Sequence, residues 1–147
     1  MKFDINSVKE TAYGFRTKLE FFVERVEILR RKLCKEKSQI RILDVGCGNG
    51  RQVTLPLGSE GYSIVGIDVH EPTISSAKAE SHFKNVEFIV GDIKDLAHKL
   101  GHEGKFDIVV LSDILEHLSH PENLLGEVKS ILSPHGIILI SIPNGFG

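Results

Sequence analysis

Hydrophobic positions along the chain follow two rhythms that exchange near residue 40. Before it, Phe15, Leu19, Phe22, Val23, Val26 and Leu29 recur at steps of three and four, which gathers them into one stripe of an amphipathic helix. Ser7 and Glu10 have the spacing of a capping box that starts such a helix. Arg30, Arg31, Lys32, Lys35 and Lys37 crowd its far end, where the helix dipole favours cations. They predict a solvated helix end in preference to a nucleic-acid patch. After residue 40 come short β-branched runs, Ile40 to Val45, Ser63 to Ile67, Val86 to Val90, Phe106 to Leu111 and Ile137 to Ile142, each followed by a turn or a polar helical stretch. Runs that are apolar nearly throughout, with no strict in-and-out alternation, predict a parallel sheet covered on both faces and joined by right-handed crossovers. Pro72 and Pro121 stand where first helical turns would begin, while Pro56 predicts that the helix after Gly50 is short or kinked.

Length and composition narrow this to one domain. A chain of 147 residues that is 41% hydrophobic can bury one core, so residues 1–38 read as a helical segment attached to a 39–147 core. A net charge of −2 from mixed signs gives no field to collect nucleic acid or an anionic membrane. Cys34 and Cys47 match neither a disulfide framework nor a metal-ligand spacing, which fits a reducing, cytoplasmic setting. No apolar run approaches the roughly 20 residues that span a bilayer, and a soluble protein is expected.

Candidate chemistry concentrates in Asp44-Val45-Gly46-Cys47-Gly48-Asn49-Gly50, directly after the first strand. Glycines at alternate positions between a strand and a helix let a ligand approach backbone N–H groups. A dinucleotide fingerprint would place its third glycine where Arg51 stands, so the spacing argues against a pyrophosphate cofactor. The second strand ends in Asp68, near the roughly 20-residue offset of a ribose-binding carboxylate. The third ends in Gly91-Asp92-Ile93, with Asp92 able to accept from an adenine amino group. A single turn aspartate is usually a helix cap. Three acids at three successive strand ends point instead to the ligand side of an open α/β sheet.

The ordered series Leu43 to Gly50, Asp68, Gly91-Asp92-Ile93, and Phe106 to Leu111 through Leu115-Glu116-His117-Leu118 resembles the motifs of class I S-adenosylmethionine-dependent methyltransferases over residues 40 to 144. The resemblance implies an α/β, Rossmann-like three-layer sandwich with sheet order 3-2-1-4-5, lacking the usual last two strands. It implies S-adenosylmethionine as cofactor, with the demethylated S-adenosylhomocysteine as product. Asp44, Gly46, Cys47, Gly48 and Gly50 would surround its methionine part, with Ser112 beside the amine. Asp68 would take the ribose hydroxyls, Val69 would pack on adenine, and Asp92 with the Ile93 backbone would read the adenine edge. Ser141 to Gly147 together with Leu115-Glu116-His117 resembles the branch with quinone-pathway and surface-glycan O-methyltransferases. That favours a small-molecule hydroxyl as acceptor.

Methyl transfer from a sulfonium mainly needs alignment, worth about 7–11 kcal/mol. A hydroxyl nucleophile also benefits from a base, and His117, just past the fourth strand, is the candidate. Asp113, Glu116 and His117 resemble in part the metal site of small-RNA 2′-O-methyltransferases, but the expectation here is no metal. The other histidines, His120 included, read as surface or turn residues. The expected activity is methyl transfer to an unidentified acceptor. The alternatives are a cofactor-holding module without turnover, a metal-assisted RNA 2′-O-methyltransferase and, more distantly, a nicotinamide oxidoreductase. A fifth strand such as Gly136 to Ile142, left at the sheet edge without charge or internal proline, further predicts a homodimer through that edge.

Overall fold

The computed structural model describes residues 14–100 and 105–143. Ser7, Glu10, Tyr13, His102 and residues 144–147 lie outside the described residues. Five parallel strands, β1 (Arg41–Val45), β2 (Ser63–Asp68), β3 (Val86–Val90), β4 (Phe106–Ser112) and β5 (Leu132–Ser141), pair in the order β3-β2-β1-β4-β5. This is the expected order, and it reverses between β1 and β4. β5 begins earlier than its apolar run suggests: Leu132 pairs with Phe106, the register is irregular before Ile108↔Ile137, and regular pairing continues to Ser112↔Ser141. β5 is an edge strand, and Ile140 on it is exposed.

Side-chain alternation along the strands divides the core in two. Ile42, Ile64, Ile108 and Val110 face one side and pack with Phe22, Val26 and Leu29 of α1 (Phe15–Lys32) and Leu57 of α2 (Thr54–Ser59). Leu43, Ile67, Val109 and Leu111 face the other and meet Ile93 and Leu96 of α4 (Ile93–Leu100) and Val128 and Ile131 of α5 (Pro121–Ile131). Ile74 and Ala77 of α3 (Glu71–Glu80) pack on Phe88 and Cys47. Each fully buried Val, Leu, Ile or Phe side chain among these contributes about 1.5–3 kcal/mol. Leu19, Phe22, Val26 and Leu29, the heart of the predicted stripe, are the buried residues of α1.

The prolines act as their geometry requires. Pro72 and Pro121 occupy first-turn positions of α3 and α5, and α2, which contains Pro56, runs only 6 residues. The cations in and just after the last turn of α1 are largely engaged within the chain. Arg30 and Arg31 reach Glu27, Lys35 reaches buried Asp107 at 2.8 Å, and Lys37 reaches Glu60. The Arg30 hydrogen bond, outweighing burial and helped by the Tyr62 hydroxyl, holds the Glu27 carboxyl down to about 2. Tyr62 donates to Glu27 at 2.7 Å and so fastens α1 beside β2. No helix among the described residues is long and apolar enough to cross a membrane.

Candidate active site at the strand carboxyl ends

Where the strand order reverses, the carboxyl ends of β1, β2 and β4 open into two hollows that meet at Gly46. The first, about 410 Å³, is bounded by Asp68, Val69, Gly91, Asp92, Ile93 and Lys94 on one side and by Ile114, Leu118, His120, Asn123, Leu124 and Glu127 on the other. The second, about 280 Å³, is bounded by Asp44, Cys47, Gly48, Asn49, Gln52, Val53, Ser112 and Asp113. Such a cleft at a switch point is the usual ligand position in an open α/β sheet.

The loop after β1 is shaped by its own backbone. The N–H groups of Gly46 and Cys47 donate to the Ile67 carbonyl at 2.8 and 3.1 Å, turning the chain sharply off the strand. Gly46 has φ +67°, and a Cβ there would stand 2.8 Å from Ile114 Cδ1. Gly50 borders neither hollow. Its φ is +79°, and a Cβ would fall 2.5 Å from Phe88 Cζ, so the third glycine is fixed by packing under the loop. Arg51 reaches out to Glu80 of α3 with two hydrogen bonds.

The three strand-end acids are held in three ways. Asp44 is 2% exposed and accepts 2.6 Å from Thr54 Oγ1. Burial pushes its carboxyl up to about 7, against the pull of the Thr54 hydrogen bond and the Lys18 charge. Burial, reinforced by Asp44, also pushes the Cys47 thiol well above its ordinary value, which keeps it neutral. Asp68 accepts from the N–H of Gly48 at 2.9 Å and the N–H of His70 at 2.9 Å, so it ties the glycine loop to the end of β2. Each oxygen retains a further acceptor site for a ligand hydroxyl. Asp92 caps α4 by accepting from the Asp95 N–H at 2.9 Å, the ordinary role of a turn aspartate, while bordering the first hollow.

Ser112 and Asp113 close the β4 side. The hydroxyls of Ser112 and Ser141 lie 3.1 Å apart, and Ser141 Oγ donates to Asp113 Oδ1 at 3.0 Å. Lys18 of α1 donates to Asp113 Oδ2 at 2.8 Å and to Gln52 Oε1 at 3.3 Å. Of the expected site residues, Asp44, Gly46, Cys47, Gly48 and Ser112 come together in the second hollow, and Asp68, Val69, Asp92 and Ile93 in the first. His117 lies in a short helical turn, Leu115–His117, borders neither hollow, and points outward with its side chain 77% exposed and 3.6 Å from Glu116. His120 is exposed, as a turn histidine should be, yet it borders the first hollow. Among the described residues no group of three His, Cys, Asp or Glu side chains is arranged to hold a metal.

Sequence reasoning passed over Lys18, Gln52 and Asn123, and it read His120 as a surface or turn residue without a place at the cleft. Lys18 did leave a signal: it stands one residue before Leu19 and four before Phe22, so it interrupts the inward stripe of α1 and demands a buried partner.

A profile of the methyltransferase domain family matches residues 36–145. The chain belongs to this family. With its sheet order it falls among the class I S-adenosylmethionine-dependent methyltransferases. It is 34% identical over 110 residues to the human mitochondrial ubiquinone biosynthesis O-methyltransferase, a match covering 71% of this chain and 29% of that protein. The ubiquinone biosynthesis O-methyltransferase of Rickettsia akari (strain Hartford) is 24% identical over 127 residues, covering 86% of this chain and 48% of the relative. The chain thus spans about half the length, or less, of these curated relatives. Among solved structures, monomeric WbdD superposes with TM-score 0.70 at 26% identity, covering 86% of this methyltransferase chain and 31% of WbdD. The plantazolicin methyltransferase BpumL, in complex with a triazolic desmethylPZN analog and SAH, gives TM-score 0.69 at 25% identity over 89% of this chain and 47% of BpumL.

Proposed function

We propose that this chain binds S-adenosylmethionine across the two hollows and transfers its methyl group to a hydroxyl of a small-molecule acceptor. The observation that carries the reading is the meeting of the two hollows at Gly46, with an acid at the end of each of β1, β2 and β3. The first hollow suits the nucleoside: Asp68 for the ribose hydroxyls, Val69 against the adenine face, Asp92 and the Ile93 N–H for the adenine edge. The second suits the amino-acid part, with Asp44, Gly46, Cys47, Gly48 and Ser112 around it. Gly50 supports the loop from beneath. SAH in BpumL and the O-methyltransferase names of the relatives support both halves of the proposal.

The bound cofactor supplies an electrophilic methyl group on a sulfonium. The chain's own contribution is alignment, held by the Asp68 bridge to the glycine loop and by the fixed turn at Gly46. An acceptor hydroxyl must also shed a proton as its oxygen gains the methyl carbon. His117, next to the β4 end and solvent-connected, is the base of this proposal, and an outward histidine can hand the proton on to water. Incubation with methyl-labelled S-adenosylmethionine and a panel of phenolic, catechol and sugar hydroxyl acceptors tests the reading. Label in an organic product supports it. Cofactor binding with no transfer to any acceptor would favour the cofactor-holding module instead.

A further inference from the structure

β3 is one edge of the sheet, and among the described residues it pairs with β2 alone. The Ile64 N–H donates to the Asn85 carbonyl at 3.0 Å and the Gly91 N–H donates to the Asp68 carbonyl at 2.9 Å, so the odd-numbered residues of this stretch turn their backbone groups toward β2. Phe88 and Val90, between them, turn N–H and C=O to the open side. Edge strands are commonly blunted by lysine, proline or a bulge. Val86 to Val90 carries only Glu87 for that purpose, and its register against β2 is regular.

A hollow of about 510 Å³ runs along this edge, walled by the consecutive β3 residues Glu87 to Val90. It shares no bordering residue with either hollow of the cofactor cleft. Its floor is apolar, since Val65, Ile89 and Leu100 are only partly buried where that side of the core thins toward the edge. Its margin is cationic. Arg41 of β1, Lys78 of α3 and Lys99 of α4 border it against one acid, Glu87. Arg41 lies 4.9 Å over the Phe106 ring and donates to the Lys105 carbonyl, which leaves it further N–H donors. Among the described residues Lys78 and Lys99 have no carboxylate partner, unlike Lys18, Arg30, Lys35, Lys37 and Arg51. Solvated lysines by themselves need no partner. Beside an open backbone edge and an apolar floor, they complete the outline of one kind of ligand.

We infer that the β3 edge is a docking site for an extended acidic segment of another protein, apolar at its centre and carrying carboxylates toward its ends. Added beside β3, such a segment exchanges main-chain hydrogen bonds with Phe88 and Val90. Alternate side chains at its centre enter the hollow over Ile89 and Leu100, and its carboxylates meet Arg41, Lys78 and Lys99. Charge decides against a second copy of this chain as the occupant. Two β3 edges joined across a two-fold axis would bring together, from each copy, those cations and only the one acid Glu87. The site is independent of the cofactor reading, and its test needs no methyl transfer.

The probe is a capped, dye-labelled heptapeptide with three central valines and two glutamates at each end, titrated with the whole chain by fluorescence anisotropy at low salt. Saturable binding is expected at about 10–100 μM, together with a roughly tenfold or greater slowing of amide exchange at Phe88 and Val90. Lys78→Glu and Lys99→Glu should each weaken it about fivefold or more, while Glu87→Gln should tighten it about twofold. All three positions are exposed, and the gain expected from Glu87→Gln cannot come from damage to the fold. The same peptide with lysines for glutamates, or N-methylated at its valines, should not bind at these concentrations. Equal binding of the lysine peptide, or binding that leaves the Phe88 and Val90 amides unprotected, would overturn the inference. No binding up to about 1 mM would overturn it too and leave the lysines as guards of the edge. Protection of the two amides without peptide, with a dimer by light scattering, would overturn it in favour of a second copy.

Discussion

Thr54 Oγ1 donates a 2.6 Å hydrogen bond to Oδ2 of Asp44, and the two buried side chains are joined across the glycine loop. Burial nevertheless dominates and sets the Asp44 carboxyl at about 7, well above its unfolded value. A raised carboxyl means that the folded chain holds a proton that the unfolded chain releases near pH 4. This contribution to stability is fully present below about pH 4 and is lost as the pH rises through about 7. Urea unfolding should therefore show a loss on the order of 1–3 kcal/mol between about pH 4 and about pH 8 that Asp44→Asn abolishes. The same slope in the Asn variant would assign it to other groups.

Asp68 accepts from the Gly48 N–H at 2.9 Å and borders the first hollow, which the proposed function gives to the nucleoside. Asp68→Ala should weaken S-adenosylhomocysteine binding by about 1.5–3 kcal/mol, because the ribose hydroxyls lose a charged acceptor. Titration calorimetry measures it directly. An unchanged dissociation constant would take Asp68 out of the site.

The parts of this fold that the sequence made legible are those decided by local repetition. The apolar runs around Ile42, Ile64, Val86 and Ile108 specify buried parallel strands, and acids at 44, 68 and 92 follow those strands to one end of the sheet. What stayed hidden depends on contacts between residues far apart in the chain. Lys18 meets Asp113 across 95 positions, and Phe88 fills the space beneath Gly50 from another strand. Neither pairing has a spacing rule. His117 illustrates a third limit: its place after β4 is readable, but the turn at Leu115–His117 decides that it points outward. β5 starts at Leu132, before its apolar run, because backbone pairing with Phe106 requires no apolar side chain in Ser133–Gly136.

Gly50 and Phe88 are mutually constrained, since a Cβ on residue 50 would meet the Phe88 ring at 2.5 Å and would also sit at φ +79°. Gly50→Ala should cost about 1–3 kcal/mol of stability. Trimming the ring in Gly50→Ala/Phe88→Leu should recover part of what the two single changes lose, read from a double-mutant cycle in urea. Strict additivity would mean that backbone strain alone, without the ring contact, explains the glycine.

The two histidines near the cleft should separate by kinetics. His117→Ala should leave S-adenosylhomocysteine affinity unchanged and lower turnover by about 10²–10⁴ at saturating acceptor. His120→Ala, altering a residue on the border of the first hollow, should instead raise the dissociation constant. Wild-type turnover in His117→Ala would return that side chain to a surface role.

The central claim is that the cleft is built for S-adenosylmethionine and its product and not for a dinucleotide, because Arg51 replaces a third glycine and turns away to Glu80. Titration calorimetry of the unaltered chain with S-adenosylhomocysteine and with NAD tests it most directly. The account predicts one-site binding of S-adenosylhomocysteine at about micromolar concentration, some −8 kcal/mol, and no measurable heat with NAD. Saturable binding of NAD with none of S-adenosylhomocysteine would contradict it.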